Sequence, residues 1–130
     1  MKEEIRFGEA VAYYRKNLVF NKSYLFSINI INLFKELKKK KEFELGKQLL
    51  RSGTSIGANI MEATAASSTK DFAHRMSIAS REARESLYWL SLLKDCNHLQ
   101  ATQFHLIEQC EEIIKILTSI IKSINTKASN

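Results

Sequence analysis

Proline is absent from this chain of 130 residues, and glycine occurs only at Gly8, Gly46, Gly53 and Gly57. With so few residues that break a backbone, long helices are the default. Runs of β-branched residues alternating with polar ones are also missing, which argues against a sheet. No stretch approaches the ~18 consecutive apolar residues that a membrane-spanning helix needs. The opening "MKEEIRFGEA" has neither an apolar centre nor a small-residue cleavage site, so no signal peptide is expected. Cysteine is scarce, and Cys96 and Cys110 lack CxxC spacing. Without a sign of export they read as reduced thiols of a cytoplasmic protein, not as a disulfide.

What is present is helical periodicity. Phe26, Ile30, Leu33 and Leu37 form one apolar seam, and Leu25, Ile28, Ile31 and Phe34 make the same segment apolar on more than one side. Such a helix buries two faces, one inward and one against another subunit. Asn21 or Ser23 is the expected cap at its start. A second helix is expected over 42–65. A third runs to about Cys96, opened by a capping box at Ser68-Thr69-Lys70-Asp71. A fourth runs from about Ala101 to Asn125, with Leu106, Cys110, Ile113, Leu117, Ile120 and Ile124 as its seam. Ile107, Ile114 and Ile121 lie beside that seam. Short connectors make this one domain, an all-α antiparallel up-down four-helix bundle over 19–125. Phe7, Val11, Tyr14 and Leu18 add a short extra N-terminal helix within residues 1–18, and residues 126–130 are expected to fray.

Charge is uneven. Residues 1–60 carry 12 Lys and Arg against 6 Asp and Glu, whereas residues 61–130 carry 8 against 8. The excess centres on "KELKKKK", residues 35–41. A basic imbalance favours polyanionic partners, although lysines at a helix C-terminus also suit its dipole. Lys38, Lys39, Lys40, Lys41, Lys47 and Arg51 are the candidate nucleic-acid contacts.

The stretch "RSGTSIGANIMEA", residues 51–63, has a glycine-rich look. A phosphate-cradling loop would need a preceding strand and GK[ST] or GxGxxG spacing, and neither is present. As a helix the stretch makes more sense. Leu45, Leu49, Ile56 and Ile60 share one side, and Gln48, Ser52, Ser55, Asn59 and Glu62 share the adjoining one. Gly53 and Gly57, four apart, flatten a strip that lets a neighbouring helix approach. The third helix offers a complementary stripe of Arg75, Ile78, Glu82, Glu85, Trp89 and Leu92, with Arg81 beside Glu82. An inward-facing structural network follows. Glu62, Glu82 and Glu85 accept; Gln48, Arg51, Ser55, Asn59 and Arg75 or Arg81 donate. Buried charges must be paired in this way.

Enzymatic readings fare worse. A di-iron carboxylate bundle needs Glu-x-x-His on two helices. Glu82-x-x-Glu85 has no histidine at that offset, His74, His98 and His105 fall near helix ends, and His105 and Glu108 run in the wrong order. No metal or other cofactor is therefore expected. Cys110 sits on an apolar seam, no base is placed to activate Ser55, and Tyr88 and Trp89 read as core or interface.

"QLLRSGTSIGANIMEA" at 48–63, "KDF" at 70–72 and "MSIASREARESLYWLSLL" at 76–93 resemble a known pattern. They look like the four-helix bundle family first named for proteins encoded in 23S rRNA intervening sequences, sometimes mislabelled as ribosomal protein S23. The resemblance covers roughly residues 17–124, and the family's usual Lys or Arg stands at Arg81. It implies an up-down bundle without established catalytic activity, and several members assemble as ring-shaped homopentamers. A related branch, the accessory variability determinants of diversity-generating retroelements, forms basic pentamers that bind a reverse transcriptase and nucleic acid. A charge of +6 per chain gives about +30 in such a ring, enough to draw RNA without reading its sequence. The expectation is a non-enzymatic basic homo-oligomer contacting RNA or a nucleic-acid-bound partner such as a reverse transcriptase. The rivals are a protein–protein adaptor without nucleic-acid binding and, further off, a carboxylate–metal enzyme.

Overall fold

A computed structural model describes the backbone of residues 10–129 and the side chains of residues 17–126. Four helices form it: α1 (Ala10–Lys39), α2 (Phe43–Ala63), α3 (Thr69–Asp95) and α4 (His105–Ser129). A 3₁₀ turn, Ala101–Gln103, leads into α4, and the described residues contain no strand. Each helix packs on its two neighbours around a square: α1 on α2 and α4, and α3 on α2 and α4. The partners run antiparallel. From one end of α1 to the other, Lys22 meets Glu112, Asn29 meets Gln109, and Glu36 meets Gln103. This is the up-down four-helix bundle.

The seams converge as their spacing requires. Phe26, Ile30, Leu33 and Leu37 from α1 are buried with Leu49, Ile56 and Ile60 from α2. Met76, Ala79, Ala83, Leu90 and Leu93 from α3 join Leu106, Cys110, Ile113, Leu117 and Ile120 from α4. Each large aliphatic side chain taken fully out of water is worth about 1.5–3 kcal/mol. The glycine strip of α2 lies against α1. A Cβ on Gly53 would stand 3.1 Å from both γ carbons of Ile30, and one on Gly57 would stand 3.3 Å from Ser23 Oγ. Small residues on α2 thus admit branched or polar ones from α1.

The two turns at one end of the bundle use the same backbone solution. Lys41 (φ 66°) and Asn97 (φ 64°) are left-handed. The following amides return to the helix, Glu42 N to Leu37 O at 2.9 Å and His98 N to Leu93 O at 2.8 Å. Both are Schellman closures, in which asparagine tolerates the left-handed backbone better than lysine. Glu42 and His98 then meet, with Oε1 and Nε2 3.2 Å apart, and tie the two turns together. At the other end, Ser68 Oγ accepts from Asp71 N at 3.0 Å, the expected cap on α3. The Asp71 carboxylate accepts from Ser67 N, one residue short of the ideal capping box.

Three boundaries differ from expectation. The described part of the N-terminal segment and the first long helix are one element, and α1 passes through Leu18 and Ser23 without a break. Ser23 is a core residue, 0% exposed, whose hydroxyl donates to Phe20 O at 2.8 Å. A serine that satisfies itself on its own helix has no need to cap. Residues 1–9, which include Phe7 and Gly8, lie outside the described residues, as do the side chains of Val11 and Tyr14. α2 stops at Ala63, two residues early. α4 continues to Ser129, because "TKAS" contains no glycine or proline to end it; Asn130 lies outside the described residues. No described helix is long and apolar enough to cross a membrane.

Candidate functional site

The basic run sits where α1 ends. Lys38 and Lys39 occupy its last turn, favourable for the helix dipole, and Lys40 and Lys41 form the connection to α2. All four are exposed, as is Lys47 one turn into α2. The antiparallel topology brings the C-terminus of α3 to the same end, and with it Lys94. None of these lysines has an acidic partner among the described residues. Two of them stand over aromatic rings instead: Lys47 Nζ lies 6.0 Å from the Phe43 ring centre, and Lys94 Nζ lies 4.7 Å from that of Phe104. Both rings are over a third exposed, Phe43 at 39% and Phe104 at 36%. Of the acids at this end, Glu42 is engaged by His98 and Glu36 by Gln103, while Glu44 and Asp95 are exposed. The run in the sequence marked the α1 half of this surface. Phe43 follows the run by two positions, but Lys94 and Phe104 gave no local signal, because only the bundle's topology brings them beside it.

Arg51 is placed differently. Its guanidinium spans from α2 to two carboxylates of α3, 3.3 Å from Glu82 and in a close ion pair with Glu85. The indole N–H of Trp89 donates to Glu85 at 3.1 Å. That bond first, and Arg51 second, hold the Glu85 carboxyl below its ordinary range despite some loss of solvent. The Glu85 hydrogen bond chiefly raises the Arg51 pKa in turn. A second pair, Arg75 to Glu62 at 2.7 Å, repeats the α2–α3 link lower down. Arg51 is therefore spent on packing, and the basic end is left to the lysines.

The inward-facing network needs correction. Its ions form, but at the rim of the α2–α3 contact. The Arg51 side chain is 50% exposed, Glu82 21%, Glu85 36% and Glu62 58%. Dehydrating four or five charges would cost more than pairing returns, so they stay at the water line. Ser55 and Asn59 do not cross to α3; they bond to the carbonyls of Arg51 and Ser55 one turn back. Gln48 and Arg81 are exposed and bond to no other described side chain. The buried polar contact is one that spacing did not isolate. Ser52 and Ser86, both 0% exposed, place their hydroxyl oxygens 2.8 Å apart, and Ser86 Oγ also lies 2.8 Å from Glu82 O. Two hydroxyls and one carbonyl satisfy this pair without any charge.

Nothing here resembles an activated nucleophile. Cys110 is buried and donates to Ala83 O at 3.1 Å, and burial pushes its thiol up to about 12. Thiolate is the reactive form, so this cysteine is inert near neutrality. Cys96 is exposed at the end of α3. Trp89 packs against the core, whereas Tyr88 is 57% exposed. Among the described residues no three His, Cys, Asp or Glu side chains converge as a metal cage.

The architecture and surface thus define a basic four-helix bundle with rim ion pairs. Residues 15–119 match the family described as 23S rRNA-intervening sequence protein, and the chain belongs to that family. A solved structure from Bacteroides thetaiotaomicron, a protein with unknown function from the S23 ribosomal protein family, is similar at 46% identity with a TM-score of 0.80. The match covers 83% of this chain and 98% of that one. No curated protein matches at comparable stringency.

Proposed function

We propose that this chain is a non-enzymatic, self-associating cytoplasmic scaffold whose lysine-rich bundle end holds RNA. The carrying observation is the cluster of Lys38, Lys39, Lys40, Lys41, Lys47 and Lys94 without acidic partners around the exposed rings of Phe43 and Phe104. Lysines neutralise phosphates and release counterions, and exposed rings give unpaired bases a stacking surface. Self-association is supported by the outer face of α1. Tyr24, Leu25, Ile28 and Ile31 there are 59%, 61%, 41% and 39% exposed, an apolar stripe at helical spacing that suits a second copy. A ring would multiply the basic ends and so strengthen binding by avidity.

A mobility-shift assay with a structured RNA at low and moderate salt tests the nucleic-acid part. Binding should weaken steeply with salt, by about 0.9 in log–log slope for each phosphate neutralised. Replacing Lys38, Lys39, Lys40 and Lys41 together by Gln should flatten that slope, whereas Arg51→Gln should not. Absence of binding at low salt would remove the RNA reading. Sedimentation of the full chain tests the assembly; the pair Leu25→Lys and Ile28→Lys should dissociate it. A monomeric wild-type chain would leave the α1 stripe to a different protein and favour an adaptor.

A further inference from the structure

At the opposite end from the lysine cluster, α3 and α4 flank a cleft of about 440 Å³ lined by Ser80, Arg84, Thr118, Ile121, Lys122 and Asn125 among others. Among the described residues its lining contains no carboxylate. Arg84 Nη2 donates to Thr118 Oγ1 at 3.3 Å, and neither Arg84 nor Lys122 is paired with an acid among the described residues. Because Thr118 accepts from Arg84, its own hydroxyl proton remains available to the cleft.

Ser80 supplies the second, independent observation. It is only 9% exposed, yet its hydroxyl has no partner among the described residues. The other buried serines are all satisfied: Ser23 by Phe20 O, and Ser52 and Ser86 by each other. Even exposed or half-buried hydroxyls here, at Ser27, Thr54, Ser55 and Thr64, bond back to their own helix. A buried hydroxyl left without a hydrogen bond is costly. One that lines a cleft beside a guanidinium and an ammonium is a donor awaiting an acceptor.

We propose that this α3–α4 cleft is an oxyanion site that takes a phosphate group, with Arg84 as the main ligand, Ser80 and Thr118 as hydroxyl donors, and Lys122 closing the mouth. A fork of guanidinium donors suits phosphate oxygens. The ligand is either a backbone phosphate of a nucleic acid or the terminal phosphate of a smaller molecule. The site is separate from the lysine cluster and stands or falls without it.

The test is an amide-resolved NMR titration of the full chain with sodium phosphate, matched against sodium chloride at equal ionic strength. Phosphate should produce saturable shifts at Ser80, Arg84, Thr118 and Lys122 that chloride does not. Arg84→Gln should weaken phosphate binding about tenfold or more, and Ser80→Ala roughly threefold to tenfold. Both positions border open space, and wild-type circular dichroism and melting would certify the fold of each variant. The variant carrying Gln at Lys38, Lys39, Lys40 and Lys41 should bind phosphate in the cleft as the wild type does. Two forms of one short oligoribonucleotide, with and without a 5′-phosphate, distinguish the sources. Cleft shifts that require the 5′-phosphate mark a terminal monoester, and shifts with both forms mark the backbone. Shifts that fail to saturate, match those in chloride, or survive Arg84→Gln unchanged would overturn the site.

Discussion

The α1–α2 hairpin contains Gly46, Gly53 and Gly57, all on α2 and all against α1, whereas the α3–α4 hairpin contains no glycine. Both hairpins close with the same left-handed turn. In the first, the missing Cβ atoms let Ile30 and Ser23 sink onto the α2 backbone. In the second, side chains stand between the helices throughout. Where they are Cys110 and Ala83 the seam is sealed by a thiol–carbonyl contact, and where they are Ser80, Arg84, Thr118 and Lys122 it opens into a cleft. The lesson is that helix propensity given up at glycine returns as close packing, and a helix pair that keeps polar side chains at its seam keeps room for a ligand.

The largest expected effect lies at the glycine seam. Ile30→Ala should cost about 2–5 kcal/mol, measured by urea unfolding, because a fully buried branched side chain is lost. Gly53→Ala should also destabilise, by about 1 kcal/mol net. The new methyl meets two Ile30 γ carbons at 3.1 Å. The rotamer of Ile30 is stiff in a helix, and overpacking of 1–3 kcal/mol exceeds the gain of about 1 in helix propensity. In the Ile30→Ala background the sign should reverse, since the clash is gone and the propensity gain remains. Additive behaviour in this double-mutant cycle would mean that Gly53 is not there for Ile30. Gly57→Ala, facing a single hydroxyl at 3.3 Å, should be near neutral.

The sealed part of the α3–α4 seam responds to pH. The Cys110 thiol is raised from about 9.0 to about 12 in the fold, first by burial and second by Glu111. In the unfolded chain it ionises from about pH 9 upward, while in the folded chain it stays protonated. Unfolding therefore releases a proton in that window, and stability falls between about pH 9 and 12, with a slope approaching 1.4 kcal/mol per pH unit. Cys110→Ala should remove that part of the slope. In the native state iodoacetamide should modify Cys96 and spare Cys110. Equal labelling of both would show the seam to be open.

These two seams also show what a linear reading reaches. The apolar seams of α1, α2 and α4, the Ser68 cap and the close approach at Gly53 follow from spacing and small side chains, because burial repeats with the helical period; the α3 seam of Met76, Ala79, Ala83, Leu90 and Leu93 does not stand out, because two of its five members are alanines. Ser23 reads as a cap and is a core residue, because a hydroxyl before an apolar run looks the same whether it caps a helix or bonds back within one. The polar face of α2 reads as interior because it spans a wide arc: Arg51 and Ser52 differ by one position in sequence but by about 100° around the helix, which is the whole depth of the contact in space. Spacing named both and could not rank them. Lys94, Phe104 and the cleft around Ser80 were illegible for another reason: they join residues from separate helices, and only the packed bundle sets them side by side.

Among the polar contacts the smallest expected effect is at the α2–α3 rim. Arg51→Gln should cost about 0.5 kcal/mol, and less at high salt, since the pairs it forms with Glu82 and Glu85 are half-exposed. The more informative readout is the Glu85 carboxyl itself. Its pKa is lowered first by the Trp89 N–H and only then by Arg51. The stability Glu85 contributes is thus full at neutral pH and is lost as pH falls below its ordinary value of 4.5 toward the lowered one. In a carboxyl-carbon NMR titration, Trp89→Phe and Arg51→Gln should each move the Glu85 midpoint up. An unmoved midpoint in Trp89→Phe would make the arginine clasp, and not the indole hydrogen bond, the feature that fixes this carboxylate against α3.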